Sequence, residues 1–310
     1  IVCSRPATAT TLEEEARSAR VSDSPALARQ VIDALARDLP RAASENTVWV
    51  EATFEKSGLG KKEEEITEAL AQRLTQLEAG LLACGAGDTR RVDAASLVEM
   101  VRNSFDPAWP VSIPRDGSVS VEEMWREVGP VAYEEAWKSL HHDSAYSQSW
   151  EMSEAPRSAI TSQSLFPLLS ADKMIPRKRV ALIFRPYSRA RSQKVAESQT
   201  STRVFDANSS RRKQVSPSAR HDANVAQRAA EAVTLGASMV RFSVVVTISV
   251  DKAEDLDRAS AIVREASGAV PVTIRPSYGS QAPAFATTLP IGFLPWHSGK
   301  IRTRLQEAAS

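Results

Sequence analysis

Residues 239–250, MVRFSVVVTISV, decide the fold class of this 310-residue chain. Apolar side chains recur at every second position, which predicts a β-strand with one apolar face. The residues on that face are Val240, Phe242, Val244, Val246, Ile248 and Val250. A strand of this kind needs helices or a second sheet to cover it, so the segments on either side decide the architecture.

An amphipathic helix is predicted directly after this strand. Asp251 and Glu254 have the spacing of a capping box, with an acceptor at the N-cap and a carboxylate three residues later. Gly268 ends the helix, and the strand VPVTIR follows at 270–275. The apolar stripe of this helix consists of Leu256, Ala259, Ile262, Val263 and Ala266.

The first half of the chain repeats this order. A helix with Ser24 as N-cap is predicted at 24–39, followed by an alternating strand at 47–54, TVWVEATF. The next helix has the apolar stripe Ile66, Leu70, Leu74, Leu77 and Leu81. A short strand at 89–92, TRRV, then leads to a helix capped by Asp93, which carries Leu97, Val98, Val101 and Phe105.

Two strands and a polar segment are predicted between these halves. The stretch 129–152, GPVAYEEAWKSLHHDSAYSQSWEM, predicts a helix followed by a strand, and KRVALIFRP at 178–186 predicts a buried strand. The Ser- and Arg-rich segment 187–221 is interpreted either as a mobile excursion or as an exposed helix.

The predicted fold class is α+β, with two similar lobes. Both halves run strand, amphipathic helix, short strand, short helix and proline, which we interpret as a structural pseudo-repeat. Each lobe is expected to be a mostly antiparallel sheet with amphipathic helices on one face. A single mixed β/α domain is the alternative. The predicted segments are a lead-in at 1–22, lobes at 23–140 and 141–298 with a basic excursion at 187–221, and a tail at 299–310.

Composition excludes few classes of function. The 39 basic and 38 acidic residues give a net charge of +1, so any argument for nucleic-acid binding must be local. Cys3 and Cys84 have no metal or redox spacing, which indicates a reducing compartment. No run of 18 apolar residues occurs, so no membrane span is predicted.

The sequence offers little catalytic chemistry. His141, His142 and Asp143 are adjacent, and no third ligand at a metal-binding spacing accompanies them. A serine nucleophile elbow is missing as well. The nearest match to a phosphate-binding loop ends in HSGKIRT, but Leu294 stands where the first glycine belongs and Ile301 where a hydroxyl belongs. We therefore predict no catalytic residue, no cofactor and no metal; a hydrolase around the two histidines is the weakest alternative.

A local basic segment supports a different hypothesis. Residues 185–220 contain nine Arg or Lys and two acidic residues, including the run Arg211, Arg212 and Lys213. Such a segment can neutralise phosphates, so contact with nucleic acid is one interpretation. A solvated loop that contacts an acidic partner is the other, and we favour it because only Tyr187 and Phe205 are interleaved.

The stretch 278–292, YGSQAPAFATTLPIG, predicts a short helix. Ser280 is a suitable N-cap, Pro283 lies in the first turn where proline is tolerated, and Pro290 ends the helix. The stripe Ala282, Phe285, Ala286 and Leu289 has helical spacing.

This order resembles the N-terminal domain of the large type IV secretion ATPases, the CagE/TrbE/VirB family. That family has a strand, a helix and a strand before a helix with a Gln, an Ala-Phe pair and a Leu-Pro-Gly ending. The corresponding residues are Gln281, Ala284, Phe285, Leu289, Pro290 and Gly292. Ile291 departs from the pattern, because it is inserted between the proline and the glycine.

More closely, the chain resembles actinobacterial conjugative-element proteins in which this domain is a separate polypeptide behind a membrane segment. The resembling stretches are GPVAYEEAW, HHDSAYSQSWEMSEAPR, RKRVALIFRP, MVRF and YGSQAPAFATTLP. They extend from Gly129 to Pro290, about half the chain, and their combination is more specific than any one of them.

The resemblance implies a scaffold of a DNA-conjugation or type IV secretion machine. Such a scaffold lies on the cytoplasmic side of the plasma membrane, is tethered by a segment that precedes residue 1, and docks a separate P-loop ATPase and inner-membrane components. Oligomers with the symmetry of the motor are compatible with it. The residues expected to contact the partner are Gln281, Phe285, Leu289 and Pro290. Packing of Phe285 and Leu289 in the chain's own core is an equally supported role, and both can hold.

Overall fold

A computed structural model describes residues 1–6, 44–87, 89–108, 113, 120–154, 156, 160–209 and 217–294. Over this part the chain is α+β, as predicted, with eight strands in one sheet and eight α-helices. The strands are β1 (Val2–Pro6), β2 (Ser44–Val48), β3 (Tyr133–Glu135), β4 (Leu140–His142), β5 (Ala145–Glu154), β6 (Arg177–Pro186), β7 (Val240–Val250) and β8 (Thr273–Pro276). The helices are α1 (Glu63–Ala83), α2 (Ala94–Phe105), α3 (Val121–Arg126), α4 (Ser162–Leu169), α5 (Arg189–Ser209), α6 (Pro217–Thr234), α7 (Ala253–Gly268) and α8 (Gln281–Thr287).

The strand order of the sheet is β2-β1-β6-β7-β5-β4-β3, and β8 pairs with β5. Strand β5 is antiparallel to each of β4, β7 and β8. β4 pairs with its first residues, and β8 pairs with its last ones from Trp150 onward. The register between β5 and β8 shifts between Met152 and Glu154, as in a β-bulge.

The alternating strand predicted within 239–250 is confirmed as β7, but both of its faces are buried from Val244 to Val250. Helix α7 contacts the side chain of Gln148 through Ser260. The side chain of the preceding residue, Ser147, bonds instead to His142, whose ring lies 4.7 Å from that of Phe285 in α8. Because successive residues of a strand point to opposite faces, these two helices lie on opposite sides of the sheet. The expectation of helices on one face is therefore corrected.

The chain divides into two compact units, and β6 and β7 contribute residues to both. The first unit consists of Ile1–Ala181 and Val245–Ser310, and the second of Leu182–Val244. The prediction of two similar lobes is not confirmed, because the strands assigned to both lobes belong to one sheet. The division of the sequence at residue 140 stays a prediction.

Several predicted helices are confirmed with their boundaries. Asp93 caps α2, since its carboxylate accepts a hydrogen bond from the Ser96 amide at 2.8 Å. Helix α7 ends at Gly268 as predicted. Helix α1 carries the predicted apolar stripe, but none of its residues is buried. The segment 187–221 is helical as far as Ser209, in agreement with the exposed-helix interpretation.

The alternating strand predicted at 47–54 is wrong in its position. Strand β2 ends at Val48, and residues 49–55 have no regular structure. Its ladder with β1 pairs Val2 with Val48, and one further backbone contact joins Ile1 to Trp49. The side chain of Val50 is exposed.

Three other local predictions are also corrected. The helix expected in the first part of 129–152 is instead a hairpin of β3 and β4, whose ladder pairs Glu135 with Leu140. Residues 89–92 contain no strand; Arg91 instead forms an ion pair with Glu78 of α1. The predicted capping box of α7 is replaced by an N-cap at Lys252, because Asp251 binds Arg177 at 2.7 Å.

Some predictions lie outside the described residues. They are the helix at 24–39, the basic run Arg211, Arg212 and Lys213, and the segment HSGKIRT. Among the helices that the structure does describe, none combines the length and the apolar character needed to cross a bilayer.

Candidate functional site

Gln281, the first residue of α8, fastens that helix to the sheet. Its side chain is 0% exposed, and its Oε1 accepts a hydrogen bond from the Ser149 amide at 2.8 Å. Its Nε2 donates to the Ser277 carbonyl at 2.8 Å. A buried glutamine that satisfies two backbone groups on different segments fixes both segments to one another. Gln281 thus holds α8 against β5 and against the residue that follows β8.

Phe285 and Leu289 form the apolar contact of the same segment. Both are buried in a cluster with Val101 of α2 and Leu140 of β4. Pro290 is half-buried. Of the four residues expected to contact a partner, Gln281, Phe285 and Leu289 therefore contact the chain's own core in the structure.

Hydroxyl groups line the side of the sheet that faces α8. Ser147 of β5 lies 2.7 Å from Ser249 of β7, and Ser149 lies 2.8 Å from Thr247. The two residues of each pair are directly opposite one another in the register of β5 with β7. A hydroxyl donates and accepts, so facing hydroxyls satisfy each other without a charged group. We call these four residues the hydroxyl ladder.

His142 ends this ladder as a neutral imidazole. Its Nδ1 lies 2.6 Å from the Phe105 carbonyl, which only accepts, so Nδ1 carries the proton. The Ser147 hydroxyl then donates to Nε2 at 2.7 Å. Burial lowers the pKa of His142 to about 4, and the hydrogen bond to Phe105 opposes this shift. Both ring nitrogens are therefore engaged in packing α2 and β5 together.

The three residues weighed for a metal or hydrolytic site do not converge. The ring of His141 stacks on Tyr146 at 4.2 Å. The Asp143 carboxylate forms an ion pair with Arg102 at 2.7 Å and accepts from the Val131 amide at 2.9 Å. No group of three His, Cys, Asp or Glu residues that could hold a metal occurs in the described parts of the chain.

Arg179 of β6 is a buried cation on the same side of the sheet. It is 6% exposed, its guanidinium lies 4.6 Å above the ring of Phe285, and its Nε donates to the Thr288 hydroxyl at 3.3 Å. The Nη2 atom is buried and has no hydrogen-bond partner among the described residues. Burial lowers the pKa of Arg179 to about 10, so the group keeps its charge at neutral pH.

A cavity of about 380 Å³ adjoins Arg179. It lies between strands β1, β2 and β6 and helix α2. The lining residues are Cys3, Ser4, Thr47, Trp49, Met100, Asn103, Ser104, Pro107, Arg177, Lys178 and Arg179. Three consecutive basic residues of β6 are in this set, and no acidic residue is.

An exposed aromatic pair lies beside the start of α8. Trp137, in the β3–β4 hairpin, stacks on Tyr278 with ring centroids 5.8 Å apart, and the two side chains are 67% and 43% exposed. Gly279 has φ of +64°, and a Cβ there would lie 2.7 Å from the Trp137 ring. Only glycine accommodates both constraints. Sequence reasoning missed this pair, although Tyr278 begins the stretch that carries the family resemblance.

The second unit contains the basic segment. Helices α5 and α6 pack together, and Thr200 of α5 contacts the Ala226 carbonyl of α6 at 3.3 Å. The Tyr187 amide donates to the Met239 carbonyl, so the start of α5 lies near the end of α6 and the two helices form an antiparallel hairpin. Residues 210–216, with the predicted Arg211, Arg212 and Lys213, connect them and lie outside the described residues.

No model of a protein family matches this chain, and no curated protein matches it either.

Replacing Gln281 by leucine tests how α8 is held. The Ser149 amide would lose its partner, while the Ser277 carbonyl would keep only the bond from the Ser280 amide, and a buried group left unpaired costs about 1–3 kcal/mol of unfolding free energy. Urea denaturation measures this loss. Gln281→Glu keeps an acceptor for the Ser149 amide. It should be the milder change at a pH low enough to protonate the new carboxyl group. The matched control is Gln76→Leu on the exposed face of α1, expected within about 0.5 kcal/mol of wild type. Equal stabilities of Q281L and Q76L would contradict this role.

His142 should make stability depend on pH below neutrality. Its pKa is lowered from 6.5 to about 4, so protonation favours the unfolded chain. Its contribution is constant above pH 6.5 and is lost as the pH falls from 6.5 to about 4, by about 3 kcal/mol in total. Denaturation curves of wild type and His142→Gln at several pH values isolate the effect by difference. His141→Gln retains His142 and should keep the wild-type slope; the same slope in H142Q would refute the assignment.

Proposed function

We propose that this chain is a non-catalytic scaffold of a conjugation or type IV secretion machine, which couples a separate motor ATPase to the membrane complex. The observation that carries the proposal is the order of β7, α7, β8 and α8. The resembling family has a strand, a helix, a strand and a helix at the point where its motor domain begins. The buried role of Gln281 gives a physical reason for a glutamine at that position.

The geometry favours a particular docking surface for this partner. Gln281, Phe285 and Leu289 are buried, so they can support a contact only by holding α8 in place. Trp137 and Tyr278 are the large exposed side chains beside them, and their stacking orders them before any partner binds. Aromatic side chains held in this way supply much of the binding energy at protein interfaces. We name Trp137 and Tyr278 the aromatic platform.

Backbone contacts also connect the aromatic platform to α8. The Gly279 amide donates to the Trp137 carbonyl at 3.0 Å, and the Ala282 amide donates to Glu135 at 3.1 Å. The β3–β4 hairpin is therefore bonded to the first turn of the helix. A partner bound at the platform would contact the segment that precedes the motor domain in the resembling family.

Site-specific photo-crosslinking tests the partner. A photoreactive phenylalanine analogue at Trp137, in the full-length protein within its native host, should crosslink to a P-loop ATPase of a conjugation or secretion machine. The matched control places the analogue at Trp125, which is exposed on α3 of the same unit. Crosslinks at 137 that lead only to proteins without a P-loop would exclude the motor as the partner of this surface.

The affinity of the isolated complex shows how much Trp137 contributes to binding. Truncation of an interface anchor costs about 2 kcal/mol or more, so Trp137→Ala should weaken binding of the crosslinked ATPase by about 30-fold. Trp125→Ala should leave it within about threefold. Equal affinities of the two variants would remove the aromatic platform from the interface.

Contact with nucleic acid is the second candidate function, and one observation favours it. The antiparallel α5–α6 hairpin follows β6 and precedes β7 in the chain. The sequence that connects the two helices contains Arg211, Arg212 and Lys213. A basic connection between two helices is a suitable element for binding the phosphate backbone.

Salt-dependent binding to DNA distinguishes this candidate. Changing Arg211, Arg212 and Lys213 together to alanine should weaken binding and lower the slope of log K against log salt by about 2 to 3, since each phosphate contact contributes about 0.9. The control changes Lys56, Lys61 and Lys62, three exposed lysines of the first unit. If both triple variants lose the same affinity, the hairpin has no special role.

A further inference from the structure

The buried charge of Arg179 is not balanced by any described acidic side chain. Arg177, two residues earlier, is neutralised by Asp251 at 2.7 Å. On the facing helix α2, Arg102 already pairs with Asp106, the residue that ends that helix, at 3.2 Å. Cys3 is the register partner of Arg179, and burial raises the pKa of its thiol, so it stays neutral near pH 7. A charged group without a counter-ion is costly in a protein interior.

Arg179 is one of the residues that line the cavity. One face of its guanidinium is covered by the Phe285 ring, and Nε donates to Thr288. Its charge therefore lies at the cavity wall without a described carboxylate to balance it. Thr47 and Asn103 line the same cavity and carry neutral hydrogen-bonding groups. A volume of about 380 Å³ lies within the range of small-molecule sites, about 300 to 1,000 Å³.

We propose that this cavity binds a small oxyanion, a phosphate or carboxylate group, against the guanidinium of Arg179. The anion supplies the counter-charge that no described acidic side chain provides. Guanidinium groups are well suited to this task, since their planar donors match the oxygens of phosphate and carboxylate. The site does not depend on the scaffold function and is separate from the aromatic platform.

A second feature of the cavity gives a direct way to observe binding. Cys3 lines the cavity and is half-buried, whereas the other described cysteine, Cys84, is exposed. In a Cys84→Ala variant, Cys3 is the one cysteine left in the 310-residue sequence. The rate at which an uncharged alkylating reagent such as iodoacetamide reacts with the protein then measures the accessibility of Cys3. An anion bound beside Arg179 should restrict access of the reagent to the thiol.

The experiment measures the labelling rate of Cys3 in the Cys84→Ala protein at constant ionic strength. Potassium chloride is replaced stepwise by inorganic phosphate in one series and by acetate in another. At a concentration about ten times the dissociation constant, labelling should slow about tenfold and then saturate. Protection by phosphate alone assigns the site to phosphoryl groups, and protection by both extends it to carboxylates. A rate that neither anion changes overturns the proposal.

Variants of Arg179 show whether its charge is responsible. Arg179→Met removes the charge and keeps the length, and should abolish the protection; Arg179→Lys should retain part of it. Replacing a buried unpaired ion by an apolar side chain is often neutral or stabilising, so R179M is expected to fold. The matched control is Arg275→Met, which removes an exposed arginine of the same unit and should leave protection unchanged. Equal protection in R179M and R275M would overturn the proposal.

The thermal midpoint provides an independent measurement. Phosphate should raise the midpoint of wild type above that in chloride at equal ionic strength, because the anion binds only the folded chain. The shift should be clearly smaller in R179M than in wild type and R275M, because phosphate also stabilises folded chains without binding a site. If R179M does not fold, the labelling series on the Cys84→Ala protein decides alone. Protection that saturates with anion concentration supports the proposal, and an unchanged labelling rate contradicts it.

Discussion

The pairing of β5 with β7, buried on both sides, is the constraint on which the rest of the first unit depends. Two strands without a solvent-exposed face need a helix on each side, and α7 and α8 supply these helices. The side facing α8 carries hydroxyls, so it needs partners as well as cover. The hydroxyl ladder and His142 satisfy the side chains, and Gln281 satisfies the Ser149 backbone amide.

Alternation and helical spacing were enough to predict β7, α7 and α8, because each of them has one clear apolar pattern. Two-sided burial of β7 could not be predicted, since Thr247 and Ser249 look like solvent-facing positions. They are buried because β5 presents matching hydroxyls, a feature that no single segment reveals. The end of β2 at Val48 could not be predicted either, because it depends on the register with β1, a distant segment.

The candidate sites, too, were predictable only where neighbouring residues in the sequence define them. Helical spacing identified Phe285 and Leu289 and the family resemblance added Gln281, but their burial could be seen only with the sheet in place. Trp137 and Tyr278 are 141 residues apart in sequence, and Gly279 alone hinted at a close approach. Arg179 sits in a strand-like run of mixed basic and apolar residues, and its missing counter-ion is a property of the assembled fold.

Strand β5 has a consequence for how this chain can change length during evolution. The side chain of Gln148 contacts α7, and that of Ser147 faces α8 through His142, so an insertion before this pair would exchange the two sides of the sheet. The hydroxyls of Ser147 and Ser149 would then face α7. The bulge between Met152 and Glu154 lies beyond this pair, where one extra residue is already absorbed. Related sequences should therefore vary in length after Trp150 and stay constant before it.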